Sequence, residues 1–158
     1  MLMETDNYVR KNTLRLKGFD YSSKRIYFVT TVAKDRLNFF LNHQLSYAVL
    51  DSLFELRIQY QFNLYCYCLM PNHFHGLIGA GASEKTLGDI VGGFKSCSTK
   101  VFWRWHGGKL WQPRFNDHII RNEQDFQETM NYILQNPVRK GLAERPEDWP
   151  FSGTLDAL

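Results

Sequence analysis

Hydrophobic and polar positions along this chain switch between two periods, and the switches mark its elements. Arg25–Val32 (RIYFVTTV) is a β-branched and aromatic run that predicts a strand. Over 43–60, Leu45, Val49, Leu53, Leu56 and Tyr60 recur at helical spacing behind Asn42, a residue type that caps helix N-termini. Residues 62–69 (FNLYCYCL) return to strand composition. Pro71-Asn72 marks a turn and 73–79 (HFHGLIG) predicts a further strand, so the two runs form a hairpin. After the loop Gly79–Ser83, Thr86-x-x-Asp89 has the form of a capping box. Leu87, Ile90, Val91, Phe94, Val101 and Trp105 then make the stripe of a second helix, which Gly107-Gly108 ends. Residues 115–121 (FNDHIIR) predict a short strand. Asn122 caps a third helix, with Glu123 and Asp125 near the positive end of its dipole. Pro137 disfavours helical geometry in the residue before it and predicts an end near Asn136.

The order strand, helix, hairpin, helix, strand, helix predicts an α+β fold. It corresponds to a ferredoxin-like βαββαβ antiparallel sheet with helices on one face and an added C-terminal helix, the other face being left for a ligand. With 158 residues and no repeat or internal linker, the expectation is one domain over 1–158. Residues 1–24, polar and basic with little periodicity, read as an N-terminal arm.

Composition narrows the class. The 44% hydrophobic and 22% charged residues are those of a globular chain. No run approaches the ~20 apolar residues of a membrane span, and the N-terminus MLMETDNYVRK has no signal-peptide form. Three cysteines give no disulfide framework. The expected location is cytoplasmic. The formal charge of +3 is unevenly spread: residues 1–36 carry 8 Lys/Arg against 4 Asp/Glu, 85–121 carry 7 against 2, and 122–158 carry 3 against 7. Two basic stretches can fold into a face for phosphates or remain scattered solvated charge. The 15% aromatic content fits a ring-rich core or base-stacking platforms.

Two short patterns carry chemistry. On a strand, His73 and His75 point to one side about 7 Å apart and Phe74 anchors the other. Alone, this is half a metal site or two surface histidines. On the last helix, Phe126, Met130, Ile133 and Leu134 define the apolar stripe. Tyr132 projects roughly 150° from its centre, with Asn136 one turn on along the same side. Alone, Tyr132 is an exposed phenol. Together the parts are more specific: a tyrosine attacks phosphorus only if it is aimed and the developing charge is stabilised. A divalent cation held by two imidazoles and the Asn136 amide oxygen would supply that stabilisation.

The segments YCYCLMPNHFHGLI and MNYILQNPVRKGL resemble the two signature motifs of the HUH-type single-tyrosine transposases, and most closely the REP-associated tyrosine transposases. GFDYS, YFVTT, WQPRFNDHIIR and RPEDWPFS resemble that branch too, in order over nearly the whole chain. The resemblance implies a metal-dependent single-stranded DNA endonuclease and strand transferase working beside a DNA hairpin. It implies Tyr132 as the nucleophile that forms a 5′-phosphotyrosine, and His73, His75 and Asn136 as ligands of Mg²⁺ or Mn²⁺, with no small-molecule cofactor. Imidazole suits Mn²⁺ better than Mg²⁺. A monomer is favoured over a dimer.

Arg114, Arg121, Arg139 and Lys140 flank the motifs as candidate phosphate contacts, and Arg10, Arg15, Lys17, Lys24 and Arg25 are candidates to grip the hairpin. His118 is a candidate to contact DNA or brace the site, and Asp117 to orient an imidazole. Trp103, Trp105 and Trp111 read as core. Two rivals stand: a zinc site in which Cys68 pairs with His73 and Cys66 with His75, and a non-catalytic binder of hairpin DNA or RNA with the same fold.

Overall fold

The structure, a computed structural model, describes residues 25–158. Strands β1 (Ile26–Val32), β2 (Asn63–Met70), β3 (His73–Gly79), β4 (Asn116–Ile119) and β5 (Ser152–Thr154) form an antiparallel sheet in the order β4-β1-β3-β2-β5. The helices are α1 (His43–Tyr60), α2 (Leu87–Phe102) and α3 (Glu123–Arg139). The first four strands and two helices make the expected ferredoxin-like unit. The C-terminal stretch adds β5 at the β2 edge, an element its local pattern did not predict. Trp149 fixes that stretch by donating its indole N–H to the Leu69 carbonyl at 3.1 Å, and Phe151 is fully buried beside it.

Each helix starts where its cap residue stands. Asn42 accepts the Leu45 N–H, Asn122 accepts the Asp125 N–H at 2.8 Å, and Thr86 and Asp89 form the reciprocal capping box. The main core lies between α1, α2 and one sheet face. Leu45, Val49, Leu53 and Leu56 of α1 and Ile90, Val91 and Phe94 of α2 meet Val29, Leu64, Leu69, Phe74 and Ile78. Helix α3 packs on the opposite face, where Phe126 and Ile133 meet Phe28, Cys66, Cys68, Met70 and Leu77. A bulge at Tyr65 sends the side chains of β2 to the faces they occupy, because the register steps from Leu64–Ile78 directly to Cys66–Leu77.

Three expectations are corrected. Helix α2 stops at Phe102, not at Gly107-Gly108, because the chain folds back there. The His106 N–H bonds the Phe102 carbonyl, their rings stack with centroids 4.9 Å apart, and the Trp103 indole N–H bonds the Gly108 carbonyl at 2.7 Å. Trp105 therefore lies beyond the helix. Trp103 and Trp105 are exposed and only Trp111 of the three is core. Helix α3 runs past Asn136 to Arg139 with Pro137 inside it. Both residues are buried, and that packing outweighs the local bias against helix before proline.

The C-terminus is tied down by charge. Arg57 Nε donates to Asp156 Oδ2 at 2.8 Å, and the same carboxylate oxygen accepts the Leu64 N–H at 2.8 Å. The Arg57 partnership holds the Asp156 carboxyl below its ordinary range. A depressed carboxyl contributes stability above its unfolded-state pKa, and that contribution is lost as pH falls through the folded value. Because the pair is partly solvated, its worth is about 1 kcal/mol. Asp156→Asn is expected to lower stability by about that much at pH 7. In urea melts the gap between variant and parent should close as the pH is taken down through the acidic range; a gap independent of pH would overturn the assignment.

Candidate functional site

The site forms where α3 crosses the sheet. The β1–β3 register sets Thr30 opposite His75 and Val32 opposite His73, so these side chains share the face that α3 covers. His73 and His75 are buried, with ring centroids 4.6 Å apart. Phe74 turns the other way and packs on Phe94 at 5.0 Å, as the strand alternation predicts. Each imidazole has its Nδ1 engaged, His73 with Asn72 Oδ1 at 2.7 Å and His75 with Thr30 Oγ1 at 2.9 Å. An Nδ1–H donated to those oxygens leaves both Nε2 atoms unprotonated. Burial pushes the His73 imidazole down to about 3, helped by the nearby Lys140 charge. Burial, with His73 and Arg139 adding to it, pushes His75 down as well. Both rings are therefore neutral at physiological pH.

Helix α3 brings the other two groups. Asn136, fully buried, places its amide Nδ2 3.4 Å from His73 Nε2. Its Oδ1, like His75 Nε2, is buried with no hydrogen-bond partner among the described residues. The ring of Tyr132 lies 6.1 Å from that of His75 and 5.9 Å from that of Phe28, between centroids, and its hydroxyl oxygen is buried. The Arg139 guanidinium lies over the phenol ring, 4.2 Å from its centroid, and donates to the Tyr132 main-chain carbonyl at 2.8 Å.

Tyr132 is thus not on a free face. The buried side of α3 comprises Asp125, Phe126, Thr129, Ile133, Asn136 and Pro137, with Tyr132 packed at its margin. The apolar residues alone misplace that side, because one flank of it is polar. Its polar residues tolerate burial where they find partners. Asp125 is one: its carboxylate takes the His118 Nε2 at 3.1 Å and the Arg121 N–H at 2.9 Å.

The other candidates scatter. His118 is buried against Asp125 at the start of α3 and does not lie on the surface. Asp117 pairs in register with Val29, on the opposite sheet face from the histidines, and orients neither ring. That task falls to Asn72 and Thr30. Asn72 is adjacent to His73 in sequence, a signal open to inspection, whereas Thr30 is found only once strand register is known. Arg121 lies beside Asp125, Nε to Oδ2 3.8 Å, at the α3 end of β4. Arg139 and Lys140 are exposed at the site, and Arg114 is exposed on the approach to β4. Arg25 sits at the Gly79 end of the sheet, away from His73. Arg10, Arg15, Lys17 and Lys24 lie outside the described residues.

The zinc alternative does not survive the register. A two-residue turn makes Met70 the partner of His73 and Cys68 that of His75, while Cys66 faces Leu77. Burial raises the Cys66 thiol to about 12 and Cys68 further, against the thiolate that zinc requires. Among the described residues no group of three His, Cys, Asp or Glu side chains could hold a metal ion. Among the described residues an ion at the histidine pair would therefore draw a further protein ligand from another kind of group, such as a carboxamide. The buried, unbonded Asn136 Oδ1 and His75 Nε2 fit that requirement.

Comparison with known proteins places this architecture. The family model described as "Transposase IS200 like" matches residues 21–136, more than two thirds of the chain. The chain belongs to the IS200-like transposase family. It is 26% identical over 151 residues to a Haemophilus influenzae protein named "Putative REP-associated tyrosine transposase", covering 84% of this chain and 81% of that one. Over 43 residues it is 49% identical to the REP-associated tyrosine transposase of Escherichia coli K12, covering 27% of this chain and 26% of that one. A solved REP-associated tyrosine transposase bound to a REP hairpin shares the fold with TM-score 0.71 and 24% identity, over 89% of this chain and 79% of that chain. For this IS200-like chain, no helix among the described residues is long and apolar enough to cross a membrane.

The Asp125 cluster predicts a stability effect. Asp125→Ala leaves the buried His118 Nε2 and the Arg121 N–H without that acceptor, and should cost about 2–3 kcal/mol in urea denaturation. Asp125→Asn, which keeps one acceptor oxygen, should cost less. An alanine variant as stable as the parent would remove the brace from this account.

Proposed function

We propose that this chain cleaves and rejoins single-stranded DNA beside a hairpin, through a covalent bond to Tyr132, with Mg²⁺ or Mn²⁺ held by His73, His75 and Asn136. One observation carries the reading: a single helix sets the Tyr132 phenol beside His75 and the Asn136 carboxamide beside His73. Family membership and the hairpin bound by a protein of the same fold support the substrate class.

In the forward step the Tyr132 oxygen attacks the scissile phosphorus and gives up its proton to solvent. A P–O bond forms to the phenol on the 5′ side, and the bond to the 3′ oxygen breaks. That oxygen takes a proton and leaves as a 3′-hydroxyl. Rejoining is the reverse: a 3′-hydroxyl attacks the phosphotyrosine and the phenol departs. When bound, the divalent cation supplies Lewis-acid polarisation of the phosphate. The protein's own groups do the rest. Phe28 and the Arg139 guanidinium pack against the phenol ring, and Asn72 and Thr30 orient the imidazoles that burial keeps neutral. Arg139 and Lys140, exposed at the rim, meet the phosphate charge.

The deciding experiment incubates the protein with Mn²⁺ and a labelled hairpin oligonucleotide carrying a single-stranded flank, followed by a denaturing gel. A covalent adduct is expected, and it should vanish with Tyr132→Phe. Tight binding without adduct or cleavage would establish a non-catalytic binder instead.

Thr30→Val tests the metal site from a distance. Removing the hydroxyl that engages His75 Nδ1 should weaken Mn²⁺ binding by about 10–100-fold, as loss of such a supporting partner does elsewhere. The readout is a Mn²⁺ titration followed by thermal shift. Equal Mn²⁺ affinity in parent and variant would argue against His75 as a ligand.

A further inference from the structure

Beyond the end of α2 the chain presents Trp103-Arg104-Trp105-His106, then Lys109, all exposed and with no acidic residue among them. Trp103 is 57% exposed and Trp105 36%, unusual for the largest apolar side chain. Trp103 and the neighbouring His106 are not loosely placed. The Trp103 indole N–H is bonded to the Gly108 carbonyl, and His106 is stacked on Phe102 and packed on Phe39 with centroids 5.4 Å apart. The segment is stapled to the turn after β1: the Lys34 N–H bonds the Leu110 carbonyl at 2.8 Å, and Ala33 pairs with Trp111. That turn, Lys34–Arg36, is wholly exposed and brings two more cations. It holds Asp35 and Arg36 at φ 55° and 56°, left-handed geometry that costs non-glycine residues energy and is often kept for a surface role. Exposed Leu37 and Leu41 follow it.

The location matters as much as the composition. Val32 pairs with His73, the Val32 carbonyl accepts the Gln112 N–H at 2.8 Å, and the Ala33 N–H bonds the Asn72 carbonyl at 2.9 Å. The patch therefore stands at the same end of the sheet as His73, on the α2 side, with the Asn72 turn between them. Beside it lies a cleft of about 200 Å³ lined in part by Lys95, Lys109 and Trp111.

We propose that Trp103 and Trp105, with Arg104, Lys109 and the Lys34–Arg36 turn, form a binding surface for unpaired bases of single-stranded DNA. Flat, exposed indoles among cations, one of them fixed by its N–H, suit base stacking with phosphate neutralisation, a combination that tolerates any sequence. The inference rests on the reading of this chain as a single-strand DNA enzyme, and it adds where the strand runs: over the end of β1 and β3, from the Tyr132 side to the α2 side.

The test uses an unstructured fluorescent oligothymidine, whose binding is independent of cleavage. Parent protein should bind it with indole quenching. Trp103→Ala and Trp105→Ala should each weaken it by about fivefold or more, and Lys109→Gln should flatten its salt dependence. Trp103→Tyr, which keeps a stacking ring, should retain most of the affinity. Melting temperatures confirm that the variants are folded. No binding by the parent, or equal binding by parent and folded alanine variants, overturns the proposal. So does sedimentation showing that the tryptophans instead hold two copies of the chain together. Failure of the Tyr132 adduct with oligothymidine binding intact would instead strike the cleavage reading alone.

Discussion

Helix α3 meets the sheet through polar side chains as well as apolar ones, and those contacts organise the site. Polar groups removed from water are costly unless bonded. Asp125 meets His118 and the Arg121 amide, and Asn136 meets His73. Each contact fixes the helix at one end, which is why a short β4 and a two-residue turn matter to the site: they supply His118 and set the position of His73. Two polar atoms in the cluster, His75 Nε2 and Asn136 Oδ1, stay unbonded among the described residues.

The two sheet faces divide the work. The face under α1 and α2 is filled by aliphatic and aromatic side chains, and it gives the strands a rigid support. The face under α3 mixes Phe28, Met70 and Leu77 with the imidazoles. Its low-polarity surroundings keep the histidines neutral, the form a metal ion accepts. The β2 bulge links the two arrangements, since it turns Cys66 and Cys68 under α3 while Leu64 stays in the main core.

Much of this was legible locally. Caps at Asn42, Thr86 and Asn122 act within four residues, and the alternation across His73, Phe74 and His75 needs only a strand. What escaped reading depends on partners distant in sequence. Thr30 meets His75 across 45 positions, and no local pattern announces it. The stripe of α3 misled because an apolar count excludes Asp125, Thr129 and Asn136, which are buried there. Trp103 and Trp105 misled in the opposite sense: their size argues for the core, yet the helix ends before them. Extra chain after α3 gave no signal of β5, since a three-residue edge strand has too few positions for a period.

The last turn of α3 shows how such a site can be assembled by docking alone. Tyr132 and Asn136 are four residues apart, so their separation along the axis, about 6 Å, is set by the helix itself. Their position relative to the histidines is not. Pro137 lacks the N–H that would bond the Ile133 carbonyl, which weakens the helix just where Asn136 must hold its place. Burial of Asn136 and Pro137 and the Arg139 bond back to the Tyr132 carbonyl replace what the backbone lost. The geometry of the Tyr132 phenol and the Asn136 carboxamide is therefore secured by buried contacts with the sheet and by an exposed arginine. An anionic strand meeting Arg139 would act directly on the residue that covers the phenol.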